Sequence, residues 1–152
     1  RDRSVSRGLG DVYKRQIAAN MFQGLPREEH GYQNRASLQA DYSAVTAACM
    51  MVKKDVFDAV DGFTEKLQVA FNDVDFCLKV RKKGYLVMYD PKIEGYHYES
   101  KSRGAEDTPE KVRRFQGEID TFRVLWKDIL KDGDPYYNRN FSLVSNQYLL
   151  GK

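Results

Sequence analysis

The sequence predicts an α/β domain that closes on an amphipathic helix, and three stretches carry that expectation. In FNDVDFCLKVRKKGY, residues 71–85, Val74, Phe76, Cys77 and Val80 form an apolar side after a polar start, and Gly84 supplies the expected helix stop. YLVMYDPKIEGYHYES follows as two apolar, aromatic-rich runs around Pro91, the composition of strands. Thr108 and Pro109 then open a helix in which Val112, Phe115, Ile119, Phe122, Trp126 and Ile129 recur at three and four until Gly133.

The chain of 152 residues is 41% hydrophobic and 12% aromatic, enough for a core and unlike a disordered composition. Its net charge of +3 lies wholly in residues 1–16, RDRSVSRGLGDVYKRQ, where five Lys/Arg face two Asp/Glu; residues 17–152 carry 20 of each sign. That neutrality argues against a nucleic-acid-binding protein, the class otherwise suggested by Lys79, Arg81, Lys82 and Lys83. The longest uncharged apolar run, AVTAACMMV, is too short to span a bilayer. Cys49 and Cys77 have no neighbouring Cys or His at metal spacing and read as two buried thiols in a reducing cytoplasm.

Residues 17–40 are turn-rich, with Gly24, Pro26 and Gly31, and are expected to be mostly loop; His30, beside Glu28 and Glu29, reads as solvated. SAVTAACMMV, residues 43–52, reads as a buried strand, and KKDVFDAVDGFTE as a short helix with a glycine turn. At the helix after it Asn72 is the expected N-cap and Asp73 falls in the first turn, where negative charge is favoured; Asp75 is three past the cap, where a carboxylate reaches back to the cap's N–H. Asp75 and Lys79, four apart, give the solvated side. On spacing alone both aspartates are capping groups, and His97, between two tyrosines, is a core or sheet histidine. The last helix is expected to dock on its own domain, with Tyr136 and Tyr137 tucked against it. No glycine-rich phosphate loop, Ser/His/Asp set or zinc spacing is present.

Taken together, residues 44–104, from AVTAACMMV through FNDVDFCLKV and GYHYES to KSRG, resemble the second half of a family 2 glycosyltransferase of the inverting, GT-A type, and most of 17–152 resembles it more loosely. The resemblance implies a partial GT-A (nucleotide-diphospho-sugar transferase-like) domain over 17–106 and a C-terminal helical extension over 107–152. Residues 1–16 resemble a translated adapter or vector stretch and are expected to be disordered, with a native basic arm as the alternative. Asp61-Gly62-Phe63-Thr64 departs from the family's usual two glycines before Phe and Asp after it.

The resemblance also implies roles. Asp73-Val74-Asp75 has the form of the family's Asp-X-Asp metal motif, but that motif ends a strand in the first half of the domain, whereas this one opens a helix. The match is to the Glu-Asp pair whose aspartate is the general base, with Asn72 in place of the Glu and Asp73 as base; Asp75 remains a structural cap. Thr46 and Ala47 match a stretch that runs past the sugar donor. His97, in a His-X-Glu-Ser segment, matches a histidine that completes a site for a divalent metal, Mn²⁺ or Mg²⁺, and Arg103 could pair with the leaving diphosphate. The partners implied are a nucleotide-sugar donor and a glycan or cell-surface polysaccharide acceptor, with no nucleic acid. The implied setting is bacterial, cytoplasmic or at the inner face of the membrane, with peripheral membrane association of the complete enzyme open. The donor-binding half of the family is expected upstream, so the fragment alone is expected to be inactive; a non-catalytic glycan-binding or interaction module is the alternative.

Overall fold

A computed structural model of the chain describes residues 5–9, 18–22, 25–95, 108–142 and 148–151. Among the described residues, four strands and four α-helices follow in the order β1 (Val5–Leu9), β2 (Ala18–Met21), β3 (Ala40–Asp41), α1 (Lys54–Ala59), α2 (Asn72–Lys82), β4 (Met88–Tyr89), α3 (Pro109–Leu125) and α4 (Lys127–Asp132). Strands β1 and β2 pair antiparallel, and so do β3 and β4, with Ala40 opposite Tyr89 and Asp41 opposite Met88. The described residues mix helices with two small antiparallel pairs, which is compatible with part of an α/β domain. Of residues 1–16 only Val5–Leu9 is described, as strand β1, whose backbone finds a partner in β2.

Helix α2 sits between two apolar clusters. On one side Leu78 packs with Leu67 and with Ile119, Phe122, Trp126 and Leu130 of the C-terminal helices. On the other, Phe76, Cys77 and Val80 pack with Ala44, Val56, Val60 and Val87. A third cluster gathers Met21, Phe22, Leu25, Ala36, Tyr42 and Tyr148. Helix α2 therefore has little solvated surface, which corrects the expectation of a wet side carrying Asp75: that residue is 1% exposed. Its carboxylate accepts hydrogen bonds from Thr64 Oγ1 at 2.6 Å and Trp126 Nε1 at 2.8 Å, with Lys79 Nζ at 3.6 Å. Asp75 is a tie between helices rather than a cap.

The start of α2 is shifted by one residue from the sequence expectation. Phe71 is the N-cap, in the left-handed region at φ 63° and ψ 4°, and Asn72 is the first helical residue. That conformation is unfavourable for a bulky side chain. It is held by the Asp75 N–H donating to Phe71 O at 2.8 Å and by the Phe71 ring lying 5.8 Å from Phe115 and 5.4 Å from Phe122. The helix ends at Gly84, at φ 88°, as the sequence predicts.

The expected strand over 43–52 does not form. Residues 42–46 and 50–53 are irregular, Ala47–Cys49 is a single 3-10 turn, and Met51 is 92% exposed. The cause lies in where the backbone amides go: Val45 N–H reaches Cys77 Sγ, Ala47 N–H reaches Asp73, and Ala48 N–H reaches Thr46 Oγ1. Side chains take donors that a ladder would have used. Only Met88 and Tyr89 of YLVMY are strand. Cys49 is exposed, which corrects the expectation of two buried thiols.

The C-terminal helices follow the sequence closely. Thr108 Oγ1 accepts from Lys111 N–H, Pro109 begins the helix, and Gly133 ends it at φ 83°. The helix breaks once, at Trp126, with φ −120°. The stripe narrows toward its start, where Val112 is 52% and Phe115 40% exposed. Beyond the helix Tyr136 lies under the Arg81 guanidinium and Tyr137 donates to Ser142 O. No helix among the described residues is long and apolar enough to cross a membrane.

Candidate functional site

The first turn of α2 and the 3-10 turn at Ala47–Cys49 meet at Asp73. One carboxylate oxygen, Oδ2, accepts from Ala47 N–H at 3.2 Å; the other, Oδ1, accepts from Val74 N–H at 2.9 Å. Asn72 Oδ1 accepts from Asp73 N–H at 2.8 Å, so Asn72 satisfies a helix-start amide even though it is not the N-cap. Thr46 Oγ1 accepts from Ala48 N–H at 3.3 Å and shapes the turn that presents Ala47. Four residues singled out in the sequence, Thr46, Ala47, Asn72 and Asp73, thus share one corner.

Asp73 is half-buried. An ionised carboxylate has about four acceptor positions. The two backbone donors leave room for an incoming hydroxyl. Chemically the corner offers a carboxylate fixed by backbone N–H groups and open on one side, which suits proton acceptance.

His97 and Arg103 lie outside the described residues, and with them the expected metal and diphosphate contacts. Among the described residues no three His, Cys, Asp or Glu side chains gather into a group able to hold a metal ion. Asp73 is ringed by N–H donors, not by other ligating groups, so the described residues by themselves do not fit a metal.

Beneath the corner, Cys77 joins α2 to the same turn: Val45 N–H donates to its Sγ at 3.5 Å and the thiol faces Val45 O at 3.7 Å. Burial pushes this thiol up to about 11, the Val45 hydrogen bond opposes that shift and the Asp73 charge adds to it. At pH 8 a thiol reagent is therefore expected to label exposed Cys49 and leave Cys77 intact until the chain is unfolded, as read by peptide mass spectrometry. Equal labelling of both in the folded chain would overturn this. Because the folded thiol titrates above its ordinary value of 9.0, its contribution to stability is complete below about pH 9 and is lost as pH rises toward 11.

Two residues brace the corner in ways the sequence does not show: Glu118 has no signal of its own, and Trp126 reads only as a member of the apolar stripe. Glu118, 3% exposed, accepts from Val69 N–H at 3.1 Å and Ala70 N–H at 2.9 Å, the amides just before Phe71. Trp126 donates to Asp75 on the far side of the same turn. Both sit on the C-terminal helices, and their partners are 48 to 51 residues away in sequence.

A groove of about 1160 Å³ runs along the end of α2, lined among others by Arg81, Lys82, Trp126, Lys131 and Arg139, and none of Thr46, Ala47, Asn72 and Asp73 lines it. One of its cations, Arg81, is engaged: it donates to buried Ser43 Oγ at 2.9 Å, which donates to Asp134 Oδ1 at 2.6 Å, and it stacks on Tyr136. The groove is therefore a packing seam between the end of α2 and the C-terminal segment, separate from the corner at Asp73.

Comparison with known proteins finds partial relatives, among them two named for glycan synthesis. It is 50% identical over 126 residues, 82% of its length, to Uncharacterized protein y4gI of Sinorhizobium fredii. It is 31% identical over 105 residues, 69% of its length, to the O-antigen biosynthesis protein RfbC of Myxococcus xanthus. Over 62 residues, 41% of its length, it is 31% identical to the N-acetylglucosaminyl-diphospho-decaprenol L-rhamnosyltransferase of Mycobacterium tuberculosis. The matched segment spans 14%, 8% and 20% of those proteins respectively, so the chain is a partial homologue of each. No family model matches the chain, and no solved structure matches it.

Proposed function

We propose that the chain is part of an inverting glycosyltransferase of the family 2, GT-A type, which moves a sugar from a nucleotide-activated donor to a hydroxyl of a glycan or cell-surface polysaccharide in the bacterial cytoplasm or at the inner face of the membrane. The observation that carries this reading is the meeting of Asp73 with the turn at Thr46 and Ala47. Residues far apart in sequence, one chosen as base and the others as donor-side backbone, are joined by a hydrogen bond. The relatives named for rhamnosyl transfer and O-antigen biosynthesis support the same class of chemistry.

In this reading the Asp73 carboxylate takes the proton of the acceptor hydroxyl. The oxygen forms its bond to the anomeric carbon from the face opposite the nucleotide, the bond from that carbon to the phosphate oxygen breaks, and the diphosphate leaves with the electron pair. Ala47 and Thr46 line the donor, and Asn72 holds the Asp73 backbone. His97 would be the residue to hold a divalent Mn²⁺ or Mg²⁺, which would supply positive charge toward a diphosphate, and Arg103 would pair with that diphosphate.

The complete protein carrying this segment, incubated with a panel of nucleotide sugars and an acceptor glycan, is expected to give product of inverted anomeric configuration by proton NMR at early times. The 152-residue chain alone is expected to give none. Retained configuration, or turnover by the isolated chain, would overturn the reading.

A further inference from the structure

We infer that Glu118 and Trp126, on the C-terminal helices, are positioning residues that set the turn carrying Asp73; this rests on the reading of Asp73 as the base. The sequence divides the chain into a catalytic part and a helical extension. The contacts do not respect that division.

Glu118 lies on α3 at a buried position, where a carboxylate is costly unless its oxygens are satisfied. Both oxygens are used, one on Val69 N–H and one on Ala70 N–H. Arg114 Nε stands farther off, at 3.7 Å, so the two amides are the closer partners. Those amides belong to the segment that enters the left-handed Phe71, and Phe71 is the residue from which α2, and Asp73 two positions on, takes its direction. The Phe71 ring is itself pressed against Phe115 and Phe122 of the same helix. On the other side of the turn Trp126 Nε1 donates to Asp75 Oδ1. The residues before and after Asp73 are therefore both tied to one helical surface by charge-assisted hydrogen bonds, the stronger kind.

Neither Glu118 nor Trp126 touches Asp73. Their action is through the backbone, and it matters because a base misplaced by about 1 Å costs on the order of 10²-fold in rate. A tie made of directional hydrogen bonds fixes the angle of the turn, which apolar packing alone leaves adjustable. Glu118→Gln keeps one acceptor oxygen and presents an NH₂ group to the other amide, so one tie is lost at nearly constant volume. Trp126→Phe removes the indole N–H and keeps an aromatic side chain.

The test uses the 152-residue chain, and its readouts are backbone amide exchange at Ala47, whose N–H is held by Asp73, and the carbon-13 resonance of the Asp73 carboxyl. Val60→Ala, in the cluster on the other side of α2, serves as a control of similar stability loss that leaves both ties intact. Glu118→Gln and Trp126→Phe are each expected to speed Ala47 exchange by about tenfold over the control, the scale of one net hydrogen bond, and to move the Asp73 carboxyl resonance. Exchange and resonance equal to those of Val60→Ala in both variants would show packing alone and overturn the inference; a response in one variant keeps it for that residue and overturns it for the other. If Glu118→Gln does not fold, Trp126→Phe decides. No step depends on turnover, so a failure of Asp73 as base, read from the enzyme's product and rate, is separable from a failure of this inference.

Discussion

Asp73→Asn in the complete enzyme is expected to lower kcat by about 10²- to 10⁴-fold, the range that a positioned general base supplies. The substitution is nearly isosteric, and its remaining oxygen can still accept from Ala47 N–H or Val74 N–H, the two bonds that hold the carboxylate now. The fold is therefore expected to survive, and with it the donor-side turn at Thr46. Loss of rate with little change in donor KM would be the signature of an interaction made in the transition state. A variant within about twofold of the parent rate would remove Asp73 from the chemistry and leave it a helix-start carboxylate, since twofold is far below what a base contributes.

Asp75→Ala, two positions on, is expected to have the opposite character: a large effect on stability. Asp75 is buried and joins Thr64, Trp126 and Lys79. Lys79 keeps other partners in Gly62 O and Thr64 Oγ1, so it is not stranded by the change. Trp126 N–H is left buried with its acceptor gone. Removing one member of such a buried charged set costs about 3 kcal/mol, and for a chain of this size that lowers the melting temperature by roughly 6–12 °C. Asp75→Asn, which keeps an acceptor for the indole, is expected to cost less. A loss under about 1 kcal/mol for Asp75→Ala would place the residue among surface pairs, against its burial.

The contrast between these two aspartates shows what the sequence could reveal. Helix α2, its stop at Gly84 and the start of α3 at Thr108 and Pro109 were legible because each rests on residues a few positions apart. The identity of the N-cap was off by one because the left-handed Phe71 is stabilised by rings 44 and 51 positions downstream. Asp75 read as solvated because a helical pattern with Lys79 at i+4 looks the same whether or not a tryptophan from another helix covers it. The strand over 43–52 failed for the same reason. Its β-branched and small residues fit a ladder, but the amides were claimed by Thr46, Asp73 and Cys77. At the corner, Thr46, Ala47, Asn72 and Asp73 could be singled out from local sequence, whereas the ties from Glu118 and Trp126 join residues 48 to 51 positions apart and could not.

The distance along the chain between Asp75 and Trp126 also fixes an order of events during synthesis. The indole that completes the turn is encoded 51 residues after the carboxylate it binds. At about 5–20 residues per second, a nascent chain carries its aspartates for roughly 3–10 s before that partner is made. A ribosome halted between the two would hold a chain with every candidate base-corner residue already translated and the brace for that corner still unwritten. The corner at Asp73 is therefore among the last parts of this segment to mature.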